Sequence, residues 1–237
     1  MAEQATVVLI HGLFGFRSIL WIEYFHSVRS LFQDMGLRVI VPSLPWAGTI
    51  EQRAAKLSEQ LSQETGPLHL VAHSMGGLDA RHVITHLGGA EKIASLTTLS
   101  TPHRGSAAAD YVCSSLSPMR MFPGVRALTL AKLAAFNAVT PDQAQVIYRS
   151  YSASRPVSEH PWIARQYGRI LAREEGENDS QVSVSSALWG EHLATLPCDH
   201  FELIGRNFWL NPFTKRTAFD HMPLYRDIGA WILARDD

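Results

Sequence analysis

Two short stretches of this 237-residue chain carry groups that could break an acyl bond. The first is LVAHSMGG, Leu70 to Gly77, of the form G-x-S-x-G with Ala72 where the first glycine would stand. A serine hydroxyl is a weak nucleophile until a base removes its proton. It is best presented when a strand stops at the serine and turns straight into a helix, lifting Oγ clear of the backbone. So tight a turn needs small neighbours. Gly76 and Gly77 meet this on one side, and Ala72 adds one methyl on the other at a modest cost in strain. A bare five-residue match is a weak signal, but the strand before it and the helix after it favour Ser74 as a nucleophile over a serine in a plain turn. The helix N-terminus points N–H groups at the reacting centre, which makes Met75 N–H a candidate oxyanion donor. The second stretch is His11-Gly12-Leu13-Phe14-Gly15, directly after an apolar run. A glycine-bracketed loop there can bring a second backbone N–H to the oxyanion, with Leu13 as the expected donor. His11 reads as a residue that holds this loop, not as a base.

These residues need a scaffold. The run 6–10 (TVVLI) is β-branched and apolar throughout, the pattern of a strand buried on both faces. Helix is expected over 22–35, 50–64 and 75–87, and strand over 37–41, 68–72 and 93–99. The alternation implies an α/β fold with a mostly parallel central sheet and helices on both faces. From 107 onward the chain turns rich in Ala, Leu and Met. A helix is expected over 125–139, a return to the sheet near 145–152, a helix over 161–174 and a closing helix about 228–233. The whole chain, 1–237, therefore reads as one domain, with a helical cap inserted at roughly 107–175.

Bulk properties exclude several classes. A net charge of −1 leaves no electrostatic footprint for nucleic acid or an anionic membrane. No apolar run reaches the length of about 18 residues that a membrane span requires. MAEQATVVLIHG lacks a basic n-region and carries Glu3, so it reads as a first strand, not a signal peptide, and a cytoplasmic location is expected. Cys113 and Cys198 make no disulfide framework; two free thiols or one bridge both stay open. No metal-ligand spacing is present, and no cofactor is expected.

Taken together, VVLIHGLFG, LVAHSMGGLDAR, TTLSTPHRGSAAADYV, NDSQVSVSSALWG and DHFELIG, in this order, resemble the α/β-hydrolases. Within them they resemble the bacterial true lipases of the Pseudomonas and Burkholderia type. The resemblance implies a Ser…Asp…His order along the chain. Asp179 in Asn178-Asp179-Ser180-Gln181-Val182 matches the family's acid, with Ser180 replacing a glycine. His200 in Asp199-His200-Phe201-Glu202 matches its base, and Leu13 and Met75 match its oxyanion donors. The family's calcium site uses an acidic residue two positions after the histidine and a glutamine four beyond. Here these are Glu202 and Arg206, and a fixed guanidinium in place of a ligand argues against calcium. An Arg206–Glu202 ion pair bracing the histidine loop is the expected substitute. Ser185 stands where one cysteine of the family's disulfide would fall, and a secreted lipase is not expected.

Among competing residues, His73 lies inside the turn, His103 is out of chain order, and His221 precedes the closing helix. Asp142, Asp199 and Asp227 are the alternative acids. The resulting expectation is a serine carboxylic-ester hydrolase acting on a small acyl ester or lipid. Other acyl hydrolysis (thioester, amide, polyester) and a non-catalytic ligand-binding role on the same scaffold are the alternatives. The apolar stretch with Leu128, Leu133 and Phe136 would cover the site, take acyl chains and touch a lipid surface transiently.

Overall fold

The computed structural model describes residues 5–15, 18–19, 22–207 and 218–236. In chain order these form β1 (Thr6–Ile10), β2 (Ser18–Ile19), β3 (Ile22–Glu23), α1 (Val28–Asp34), β4 (Arg38–Ile40), α2 (Ile50–Leu61), β5 (Leu68–His73), α3 (Gly76–His86) and β6 (Ile93–Leu99). There follow α4 (Ala107–Ser114), α5 (Pro123–Ala127), α6 (Leu130–Val139), β7 (Ile147–Ala153), α7 (Arg165–Glu174), α8 (Val184–Ala187), β8 (Glu191–Leu196) and α9 (Met222–Asp236). A six-stranded sheet runs in the order β4-β1-β5-β6-β7-β8, and every pairing in it is parallel.

Parallel strands need helices on both faces, and the apolar residues sort accordingly. Val7, Leu9 and Val71 pack on one side with Phe25, Val28, Phe32, Tyr225, Ile228 and Ile232, beneath α1 and α9. Val8, Ile10, Leu70 and Ala72 face the other side and meet Leu57, Leu61, Val83 and Ile84 of α2 and α3. A strand buried on both faces has no polar side to alternate with, hence the continuous runs. Helix α2 starts at a capping box: Thr49 Oγ1 accepts from Gln52 N–H while Gln52 Oε1 accepts from Thr49 N–H.

From β1 the chain moves outward to β4 and returns on the other side as β5. The order reverses between β1 and β5, and a crevice opens beyond their C-terminal ends. The loop at 11–15 and the turn at Ser74 flank that crevice.

Several elements differ from the expectation. Helix α1 begins at Val28, not residue 22, because Ile22–Glu23 pairs with Ser18–Ile19 and Tyr24 turns inward to the β1 loop. The helix expected over 125–139 is two helices, broken at Leu128 and Thr129. Leu128 O accepts from Ser106 N–H, and Leu130 N–H is taken by Asp110 Oδ2. Strand β8 carries no continuous apolar run to announce it, because it is a largely exposed edge strand. Within 107–175 the chain returns to the main sheet as β7, at the place expected near 145–152, and the helices of the segment fall into two groups, 107–139 and 165–174.

Helix α3 approaches the sheet at its first turn. A Cβ on Gly77 would press into Thr101 Oγ1 and lie 2.9 Å from Thr98 Cγ2. Thr101 cannot turn aside freely, since its Oγ1 donates to Ser74 O at 2.7 Å. Gly77→Ala is therefore expected to destabilise the fold by about 1–3 kcal/mol despite alanine's better helix propensity. The midpoint of urea unfolding checks this, and an unchanged or raised midpoint would refute the close-packing account.

Candidate active site

Ser74 follows the last residue of β5 and holds φ at 55°, the left-handed region that a non-glycine residue seldom occupies. The turn is pinned from both ends: Ser74 N–H donates to Leu99 O at 3.0 Å, and Ser74 O accepts from Thr101. Space around it is as tight as the sequence implies. A Cβ on Gly76 would lie 2.7 Å from Ile10 O, and one on Gly12 would lie 2.8 Å from Ser74 Cβ. Ala72 packs with no exposure between Ile10 and Thr98, so its extra methyl is absorbed by the sheet.

His200 and Asp179 meet as a buried pair. His200 Nδ1 lies 2.7 Å from Asp179 Oδ2. The other carboxylate oxygen accepts from Gln181 N–H at 2.9 Å and Val182 N–H at 2.8 Å. The two loops are also tied by backbone, since His200 N–H donates to Asp179 O at 2.9 Å. Ser180 carries the strain that a glycine would relieve: its φ is 89°, and Asn178 Oδ1 accepts its N–H to hold the bend. His200 and Ser74 line one cavity of about 480 Å³ with largely apolar walls. Among the described residues no hydrogen bond joins Ser74 Oγ to His200; such bonds are commonly long before substrate arrives.

The β1 loop spends its N–H groups selectively. Gly12 N–H donates to Tyr24 Oη at 3.1 Å, Phe14 N–H to Trp46 O at 2.6 Å and Gly15 N–H to Gly12 O at 3.1 Å. Leu13 N–H alone of these has no partner among the described residues, and Met75 N–H is likewise unused. Both residues sequence reading selected as oxyanion donors thus keep a free N–H. His11 holds the loop as expected: its Nε2 accepts from Leu44 N–H, which leaves Nδ1–H to donate to Gly12 O at 2.9 Å.

Comparison with known proteins gives the family and the fold. The family model described as the alpha/beta hydrolase family matches residues 7–237. The chain belongs to that family. It is 36% identical over 216 residues to triacylglycerol lipase 2 of Saccharomyces cerevisiae, covering 83% of this chain and 65% of that protein. It is 35% identical over 135 residues to a Pseudomonas fragi triacylglycerol lipase, covering 55% of this chain and 45% of the relative. The chain thus spans less than two thirds of either relative. Among solved structures, a Staphylococcus hyicus lipase superposes with a TM-score of 0.76 at 16% identity, covering 99% of this chain and 96% of its own. A mature Bacillus licheniformis lipase gives 0.73 at 21% identity, covering 85% and 86%. These likenesses show the fold.

Of the competing residues of this α/β-hydrolase, His73 lines the cavity beside His200 and the others lie elsewhere. His103 is fully buried, bonded to Thr98 Oγ1 and stacked on Trp189. His221 Nε2 contacts His26 O, and its ring does not line the cavity. Asp142 accepts from Trp189 Nε1, while Asp199 accepts the N–H groups of Phe201 and Glu202. Asp227 sits within α9. Cys113 and Cys198 are both free thiols.

The expected Arg206–Glu202 ion pair does not form. Gly205, at φ 72°, turns the chain away after Ile204, and Arg206 donates instead to Glu23 O. The brace exists with a different cation: Arg155 Nε donates to Glu202 Oε2 at 2.9 Å. The same carboxylate accepts Asp199 N–H at 2.9 Å and Phe219 N–H at 3.2 Å. A guanidinium on the buried carboxylate does not fit a calcium ion there, and no cluster of metal-ligating side chains occurs among the described residues. Sequence reading missed Arg155 and Tyr24, because neither lies in a motif and their partners are distant in the chain.

Burial governs the titration of the groups beneath the site. His11 is lowered to about 4 from 6.5, first by desolvation and then by Arg53. His73 and His103 are lowered well below 6.5, again chiefly by burial. Asp79, bonded to Arg53 Nε at 2.8 Å, is raised to about 6 from 3.8 by burial, which Arg53 partly offsets. Unfolded histidines take up protons near 6.5 while the folded ones stay neutral, so stability falls as pH drops below 6.5. Asp79 acts oppositely between about 6 and 3.8, where its folded form keeps a proton that the unfolded chain releases. Three histidines against one carboxyl predict a urea midpoint that declines as pH is lowered from about 7 to 5. A midpoint that rises over that range would show that the histidines are not held neutral.

Proposed function

We propose that this α/β-hydrolase is a serine carboxylic-ester hydrolase of the lipase and esterase kind. The observation that carries the reading is the meeting of Ser74 with the buried His200–Asp179 pair in one apolar cavity, beside two unused backbone N–H groups. In this scheme His200 Nε2 takes the Ser74 proton as Oγ attacks the ester carbonyl. Asp179 holds the proton on Nδ1 and stabilises the imidazolium. The N–H groups of Leu13 and Met75 receive the tetrahedral oxyanion. The alcohol leaves with the proton from His200, and water then releases the acid from the acyl-enzyme by the same path. Resemblance to named triacylglycerol lipases supports the ester as substrate.

The test is hydrolysis of p-nitrophenyl butyrate and p-nitrophenyl palmitate by the native protein and Ser74→Ala. The expected result is turnover by the native protein that falls by about 10⁴-fold or more in the variant. Equal rates in both, or none in either, would refute the reading. The ratio of the two native rates places the enzyme between esterase and lipase.

The helical segments 107–139 and 165–174 supply the cap in this reading. Met119, Val125, Leu128, Ile163 and Tyr167 line the cavity. Outside it Leu116 is 90% exposed, Met121 70% and Trp162 61%. Apolar side chains so exposed, close in sequence to residues that line the cavity, suit contact with a lipid surface, and no helix among the described residues is long and apolar enough to cross a membrane. Leu116→Glu combined with Met121→Glu is expected to lower the rate on emulsified triglyceride by about tenfold while leaving a soluble short ester unaffected. An equal effect on both substrates would refute a surface role.

A further inference from the structure

The imidazole of His73 lies beside that of His200, with ring centroids 4.4 Å apart, and among the described residues it forms no ion pair with an acid. Its two nitrogens have different partners. Nε2 is 3.0 Å from His200 O, and a carbonyl only accepts, so the proton of neutral His73 sits on Nε2. Nδ1 is then a bare acceptor, 2.8 Å from Tyr24 Oη. The phenol must donate to it, and the same oxygen accepts from Gly12 N–H at 3.1 Å. Every donor and acceptor in the series has one allowed sense: Gly12 N–H to Tyr24, Tyr24 O–H to His73 Nδ1, His73 Nε2–H to His200 O.

We propose that Tyr24 and His73 are positioning residues, forming a one-way hydrogen-bond relay that ties the oxyanion loop through the nucleophile turn to the backbone of His200. The three segments joined come from the ends of β1 and β5 and from the loop after β8. The relay fixes their separation, which the transition state requires and apolar packing alone does not specify. It also selects the donor. With Gly12 N–H committed to Tyr24, the free N–H of the loop is that of Leu13. The neutral state of His73 suits its place, since a second cation beside His200 would oppose imidazolium formation. Burial holds its protonation down, and the His200 charge adds to this. Burial likewise pushes the Tyr24 phenol up to about 12, so it remains a donor at any working pH.

The kinetic consequence rests on the ester-hydrolase reading; the structural one does not. Nitrogen-15 spectra of the native full chain, labelled at histidine, report the relay directly. The expected pattern for His73 is a protonated Nε2 and a bare, hydrogen-bonded Nδ1 at neutral pH. A protonated Nδ1 or a doubly protonated ring would overturn the proposal whether or not the protein hydrolyses esters. Tyr24→Phe removes one oxygen and keeps the ring packed on Phe25 and His11. It is expected to shift the His73 Nδ1 resonance and to lower kcat by about tenfold or more, with KM changed by less than about twofold. A kcat within about twofold of native, or a loss carried by KM alone, would reject the relay as a positioning device. Absence of native turnover, with the expected His73 spectrum, would instead count against the ester-hydrolase reading alone.

Discussion

The left-handed backbone at Ser74 is the constraint to which the surrounding structure answers. A serine at φ 55° costs on the order of 1–3 kcal/mol and persists only where its neighbours over-determine it. Here they do so from three sides. Leu99 O holds the Ser74 N–H, Thr101 holds its carbonyl, and Ile10 O closes against Gly76. Each of these groups belongs to a strand flanking β5 or to the loop that follows one. The parallel sheet is thus both scaffold and clamp. The glycines at 12, 76 and 77 are consequences of that clamp, because a side chain at any of them would occupy space already filled.

A second theme is the use of buried cations to tie loops together. Arg53 is fully buried, bonds Asp79, and donates also to His11 O and Pro45 O at 2.7 and 2.9 Å. Arg155 does similar work under the histidine loop through Glu202. Loops carry backbone groups that no ladder satisfies, so they are held by polar contacts more than by apolar packing. A planar guanidinium with several fixed donors can serve two or three such groups at once. Burying these charges costs free energy, and the carboxylate and carbonyl partners are what make it tolerable. Among the described residues no acid lines the cavity, and Asp179 stands behind His200.

Legibility in the sequence followed how local the determining physics was. Strand β1 announces itself because both faces are buried and its run is β-branched and apolar throughout, while β5 and β6 are as deeply buried but interrupted by His69 and by Ser95, Thr97 and Thr98. The nucleophile turn was legible through its small residues at fixed spacing around a serine between strand and helix, although the groups that demand those glycines lie on neighbouring strands. The start of α1 was not legible, since the pull of Tyr24 toward Gly12 is a contact between segments with no sequence signal. The break between α5 and α6 had the same origin, in Ser106 and Asp110 reaching across to residues 128 and 130. Strand β8 escaped notice because an exposed edge needs no apolar pattern.

For the site, residue types and local spacing picked out Ser74, Leu13 and Met75, and the resemblance to lipases added Asp179 and His200; in the fold Leu13, Ser74 and His200 line one cavity, with Asp179 bonded behind His200. Residue type reports what chemistry a group can do, and spacing along one turn reports local geometry. The sequence alone therefore determined the α/β layering and which residue types stand at the candidate site. The partner of Glu202, the tautomer of His73 and the freedom of the Leu13 N–H were decided only by tertiary structure. Each depends on which donor arrives at a given acceptor from a distant segment, and a hydrogen bond is directional and short-ranged enough that no one-dimensional pattern encodes the winner.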